Sequence, residues 1–187
     1  MKYVTLILVS LFAGCAGSPS PEQHLYFLSA DIQPGVINEE MTIGIGVVDV
    51  APYLQRSEIM LQIGPQELRP ARYHQWAEPL QASVRRYLRD RLSTDLATAV
   101  DTNRQFRDNW QMQIDITVDK LHGDLDGQVL LDAHYLIHGI ADPTLKKRNR
   151  VRITGNQIGS GYAALVDAEE ALLDSLARQI AKDVESL

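Results

Sequence analysis

Between Trp110 and Leu121 apolar and polar residues alternate: Met112, Ile114, Ile116 and Val118 are interleaved with Gln111, Gln113, Asp115, Thr117 and Asp119. A period of two puts one set on a buried face and the other in water, so the pattern predicts a half-buried strand. "HGDLDG" (122–127) then predicts a turn. The next run, 128–140, places Val129, Leu131, Ala133, Tyr135 and Ile137 on one side, with Asp132, His134 and His138 interleaved on the other. The two runs predict an antiparallel hairpin. After "DPT" the stretch "LKKRNRVRITGNQI" extends the meander as a basic strand. Its Lys146, Arg148, Arg150 and Arg152 share one face, opposite Asp132 and, across the sheet, Asp115 and Asp119.

Earlier in the chain, "HLYFLSA" (24–30) predicts a first strand, residues 31–40 a loop, and "MTIGIGVVDVAPYL" a second strand whose Gly44 and Gly46 mark a bulge or close backbone approach. Two short strands, about 58–63 and 66–72, flank the turn signal Gly64-Pro65. Period-3.6 patterning appears twice. Leu80, Val84, Tyr87, Leu88, Leu92, Leu96 and Val100 predict a helix over about 78–100, with Pro79 in its first turn. Leu165, Leu172, Leu176, Ile180 and Val184 stripe a second long helix beginning near 161, where polar Glu169 interrupts the stripe and Ala168 is expected to turn inward. The resulting fold class is α+β: a mostly antiparallel sheet with two long amphipathic helices packed on one face.

Composition adds few constraints. The chain has 187 residues and a formal net charge of −6. Its ordinary apolar and charged fractions allow a normal core, and the acidic balance argues against a nucleic-acid partner. The single cysteine changes the picture more. Cys15 cannot close an intrachain disulfide or build a metal site with a second cysteine. Met1-Lys2 is a short basic start, and Tyr3 to Phe12 is an apolar run of about ten residues, half of what a spanning helix needs. Leu11-Phe12-Ala13-Gly14-Cys15 has the form of a bacterial lipobox, in which the cysteine is diacylated and becomes the first mature residue; a plain secretory segment is the competing reading. The expected organisation is a lipoprotein signal peptide over 1–14, a lipidated cysteine and flexible tether over 15–23, and a single domain over 24–187. Removing residues 1–14 leaves 173 residues and a net charge of −7. Ala16, where an Asp tends to retain such proteins in the inner membrane, points to the outer membrane.

Candidate chemistry is sparse. His122, Asp124 and Asp126 invite a metal reading, but between Gly123 and Gly127 they fit a turn better. His134 and His138, four apart on a strand, stand about 13 Å from one another and cannot share a metal. Arg85, Arg86, Arg89 and Arg91 alternate with acids, which fits a solvated helix face better than an anion patch. No nucleophile, P-loop, dinucleotide or zinc-protease motif occurs, so neither catalysis nor a cofactor is expected. In "ARYHQWAEPL" (71–80), Trp76 is expected to pack on the helix start rather than to form an exposed surface.

The lipobox, "LYFL" after the tether, and "IGIGVVDVAPYLQRSEIMLQIGPQELRPARYHQWAEPL" together resemble the PqiC-type auxiliary lipoproteins of ABC-linked lipid transport. The matching residues are Gly46, Val48 and Val50; Tyr53, Leu54 and Arg56; and Trp76-Ala77-Glu78-Pro79-Leu80. The resemblance implies a periplasm-facing protein that docks a transporter of the MCE-domain type to the outer membrane. Tyr53, Arg56, Arg72 and Trp76 are its candidate partner contacts, phospholipid and a second copy of the chain its other candidate partners. The alternative is a lipid-binding periplasmic carrier or chaperone with its own apolar cavity; an anchored hydrolase has the least in its favour.

Overall fold

The computed structural model describes residues 21–30, 38–142 and 145–187. Cys15, the tether as far as residue 20, and residues 31–37 of the expected loop lie outside the described residues. The elements run β1 (His24–Tyr26), β2 (Asn38–Val50), β3 (Glu58–Gly64), β4 (Glu67–Trp76), α1 (Leu80–Asp95), β5 (Thr98–Asp101), β6 (Met112–Asp124), β7 (Gln128–Gly139), β8 (Leu145–Asn156) and α2 (Gly161–Glu185), with 3-10 helices at Pro52–Gln55 and Arg104–Asn109. No helix among the described residues is long and apolar enough to cross a membrane.

β6 organises the sheet. Along one edge it pairs with β7 in antiparallel register from Met112↔Gly139 to Gly123↔Val129, and β8 continues the meander from Gln128↔Asn156 to His138↔Leu145. Along its other edge β6 carries two strands in series, both parallel to it. β2 runs from Ile43↔Met112 to Val50↔Val118; the chain then leaves at Pro52, makes its 3-10 turn, and returns as β3 at Leu61↔Gly123 and Gln62↔Asp124. Beyond β3 come β4, antiparallel, and then β1, parallel to β4; β5 lies parallel on the far side of β2.

The sheet is therefore mixed, which corrects the expectation of a mostly antiparallel one. β2 lies between β5 and β6, and its near-unbroken apolar run is the composition of a strand buried in parallel pairing. A second correction concerns the first helix, which stops at Asp95. Ala97 takes a left-handed φ of 48°, the chain reverses, and Thr98–Asp101 becomes a strand. Val100 is buried, but as a strand residue against Ile43. The first strand is only His24–Tyr26, shorter than the expected run.

α1 and α2 pack against each other and on the same side of the sheet, α1 over β2 and β5 and α2 over β7 and β8. Ile43, Ile45, Ile114, Ile116, Leu131 and Ile137 meet Leu88, Leu92, Leu173 and Leu176 there, all close to zero exposure. Burying a side chain of this size contributes about 1.5–3 kcal/mol, so this layer dominates the stability of the domain. The opposite face is covered locally by Trp110, whose ring lies over Gly44: a Cβ at Gly44 would fall 1.8 Å from the indole. Only glycine fits there.

Candidate functional site

Of the candidate contact residues, Tyr53 and Arg56 come from the link between β2 and β3. Pro52 sets the first turn of the 3-10 helix, Leu54 is buried as its inward anchor, and Tyr53 lies partly buried beside β6. The Tyr53 hydroxyl donates to the Asp119 carbonyl at 3.4 Å, and its ring centroid is 6.3 Å from that of His122. Burial raises the Tyr53 phenol to about 12, with Glu169 and Asp119 adding to the rise, so it remains a neutral donor at any ordinary pH. Tyr53 and His122, with Lys120, Gln62, Gln66 and Leu68, line a shallow pocket of about 170 Å³ under the β3–β4 hairpin.

His122 was expected in a turn; it lies instead inside β6 and is 4% exposed. The register of β6 against β7 shifts between Val118 and Lys120, so the alternation changes phase and Leu121 and Gly123 take over the buried side. The uneven spacing from Val118 to Leu121 was the signal for this bulge. Burial, then the nearby Lys120, holds the His122 imidazole below its ordinary value and hence neutral. Asp124 does close the turn, accepting from the amides of Asp126 and Gln128 at 2.9 Å each.

Arg56 is exposed and ion-paired with Glu58 at 3.0 Å. Arg72 is exposed on β4. Trp76 closes β4 at 6% exposure, its ring within the core, and its backbone N–H donates to the Ser57 carbonyl at 2.7 Å. The indole is thus engaged in packing and offers no contact surface. The structure brings Tyr53 beside His122 but joins it to neither Arg72 nor Trp76 in one constellation.

The polar sheet face holds a chain of charge pairs. Asp132, buried on β7, accepts from Arg150 Nε at 3.1 Å and from Arg152 Nε at 3.2 Å. Burial alone would raise its carboxyl, but the two guanidinium groups outweigh it and hold the carboxyl below its ordinary value. Asp119 pairs with His134 at 3.1 Å and Arg150 at 3.5 Å, and Asp115 pairs with His138 at 3.3 Å. Each of the two histidines is thus held by one aspartate of the neighbouring strand β6. Among the described residues no group of three His, Cys, Asp or Glu could hold a metal ion.

On the helix face, Arg86 pairs with Glu78 at 2.5 Å, Arg89 with Asp90 at 2.6 Å, and Arg91 with Asp174 at 2.8 Å. For these three arginines the alternation of cations and acids along α1 is thus realised in contacts. α2 buries Ala168 and also Glu169, which is 1% exposed and has an unpartnered Oε2. Ala168 turns inward as the interrupted stripe led one to expect; the burial of Glu169 beside it was not expected.

At the start of the described domain, His24 stacks on His74 with centroids 5.0 Å apart, and His74 stacks on Tyr162 of α2 at 4.0 Å. The Tyr26 hydroxyl lies 2.9 Å from His74 Nδ1. These rings fix β1 to β4 and to the first turn of α2.

A mixed eight-stranded sheet with two helices on one face and charge pairs on the other defines an α+β protein. More narrowly, the chain belongs to the family of ABC-type transport auxiliary lipoprotein components, whose model matches residues 26–181. Membership makes it an auxiliary lipoprotein of a transport system. It is similar to the intermembrane transport lipoprotein PqiC of Escherichia coli (strain K12), with 24% identity over 188 residues, taking in 100% of this chain and 98% of the relative. The like-named protein of Shigella flexneri matches with the same figures. Among solved structures, an uncharacterized protein superimposes with a TM-score of 0.77 at 21% identity, covering 88% of this chain and 99% of the other. Protein XCC0632 from Xanthomonas campestris does so with a TM-score of 0.65 at 14% identity, covering 83% and 91%. At these identities the two structures speak to the fold alone.

Proposed function

We propose that this chain is a lipid-anchored auxiliary subunit that docks an MCE-domain transporter at the periplasmic face of the outer membrane. The observation that carries the reading is the family match over residues 26–181, directly following a lipobox cysteine and a short tether. Cys15 is the attachment point, and two or more acyl chains hold a protein on a membrane where one lets it leave. Eight flexible residues span only about 15 Å, so the folded body stays near the surface and the partner comes to it. The space between the helices and the sheet is a packed core, which favours a docking body over a carrier. Arg56 and Arg72 remain exposed for partner contact; Trp76 does not.

Two experiments test this. Cys15→Ser is expected to abolish fatty-acid labelling and to release the protein from membranes; continued labelling ends the anchor reading. Cross-linked pull-down from native membranes, with the lipidated chain as bait, is expected to enrich an MCE-domain protein, and Arg72→Glu to reduce that yield. Phospholipid co-purifying with a monomer, and no MCE protein, would sink the docking role in favour of a carrier.

A further inference from the structure

Two loops at one end of the molecule hold large apolar side chains out in solvent. Leu125, at the apex of the β6–β7 turn, is 61% exposed, and Ile158, between β8 and α2, is 93% exposed. Neither is displayed by a slack segment. The first turn is closed by Asp124, as described above. The second is held by Gln157, whose side-chain amide donates to the carbonyls of Gly159 and Gly161 at 3.3 and 3.0 Å, while its backbone N–H donates to the Gly127 carbonyl at 2.7 Å. Gly159 and Gly161 have φ of 98° and 88°, a left-handed path that glycine permits at little cost. The two loops are thus bonded to each other, and Leu125, Gln157, Tyr162 and Leu165 line one recess of about 170 Å³ between them.

The same end receives the tether. Tyr162 stacks on His74 and His74 on His24, where β1 begins. His24 lies nine residues after Cys15, so even fully extended the link reaches only about 30 Å. An anchor this short brings this end toward the lipid.

We infer that Leu125 and Ile158 form a two-loop membrane contact, seated with the Tyr162 ring in the headgroup and acyl boundary of the phospholipid leaflet that holds the anchor. The inference rests on the anchored reading above and adds an orientation: β6 stands with its Asp124 end toward the leaflet and its Met112 end about 40 Å away from it. Exposed Asp126 beside Leu125 keeps the contact shallow and disfavours strongly anionic surfaces.

The test uses the full lipidated chain carrying Ile158→Cys, labelled with a nitrobenzoxadiazole probe and reconstituted into phosphatidylethanolamine vesicles with acyl-chain spin-label quenchers. Phe106→Cys, exposed near the other end of β6, is the control. The expected result is more than about twofold quenching at 158 and none at 106. Equal quenching at both positions overturns the inference. So does no quenching at 158, or energy transfer between labelled copies in its place, which would assign the patch to protein. Mass measurement of Cys15 in the same sample separates the failures: acyl chains present with an unquenched probe removes this inference alone, and acyl chains absent removes the anchor reading as well. Leu125→Cys serves as a second labelling site with the same expected outcome.

Discussion

The Tyr135 hydroxyl on β7 donates to Asp183 Oδ2 on α2 at 2.6 Å, both groups buried at the contact between sheet and helix. Lys147 Nζ and Asn149 Nδ2 complete the cluster at 3.2 and 3.3 Å from the same carboxylate. Burial would raise the Asp183 carboxyl, but these donors outweigh it and hold the carboxyl below its ordinary value, while burial and the carboxylate raise the Tyr135 phenol. Tyr135→Phe is expected to cost about 1–2 kcal/mol in urea denaturation at pH 7. A depressed carboxyl contributes stability above its ordinary 3.8 that is lost as pH falls through the folded value. The gap between native and variant should therefore narrow toward pH 3.

Glu169 gives the opposite pH dependence. Burial pushes its carboxyl up to about 8 from an ordinary 4.5. Between those values the folded chain keeps a proton that the unfolded chain has released, so stability falls as pH rises through the window. Glu169→Gln removes the titration, and its gain over native should be near zero at pH 4.5 and about 2–4 kcal/mol at pH 8. Thermal melts at the two values check this; equal gains at both would point to packing.

Gly44 has no room for a methyl group. Gly44→Ala drives a Cβ into the Trp110 ring, and the expected cost is about 1–3 kcal/mol. Trp110 is 3% exposed, so its displacement should also red-shift the indole fluorescence.

Asp132 and its two arginines make an asymmetric pair of predictions. Asp132→Ala leaves Arg150 and Arg152, both about two-thirds exposed, free to return to water, at a cost of about 1–2 kcal/mol. The double substitution of Arg150 and Arg152 by Ala strands a buried carboxylate and should cost about 3 kcal/mol or more at pH 7. Chemical denaturation of the two variants side by side decides it, and the reverse order would contradict the burial argument.

Local patterning foretold the parts of the fold that local contacts determine. β6, β7 and β8 are adjacent in sequence and in space, so alternation and turn chemistry suffice, and the Arg150 and Arg152 pairing with Asp132 follows from register. α2 followed from its stripe in the same way. The parallel placement of β2 and β3 along β6 depends on distant segments, and no local rule distinguishes it from an antiparallel arrangement. β5 was hidden because Leu96 and Val100 keep helical spacing by coincidence, and Ala97 gives no glycine-like sign of the break. Tyr53 could be named from its motif, but its neighbour His122 could not, because one extra residue in β6 reverses the face on which His122 stands.

The doubling of β2 and β3 along one edge of β6 also sets an order of assembly. A chain that emerges N-terminus first delivers β1 to β5 before the strand that joins them. Until Met112 to Asp124 arrives, β2 has one unpaired edge, rich in Ile and Val, and β3 can pair only with β4. The meander of β6, β7 and β8 closes through short turns and forms quickly, whereas docking β2 and β3 onto it must wait for long loops to close. β2 and β3 are thus the last strands to gain all their partners, and a folding catalyst or holding chaperone would find its binding strand there.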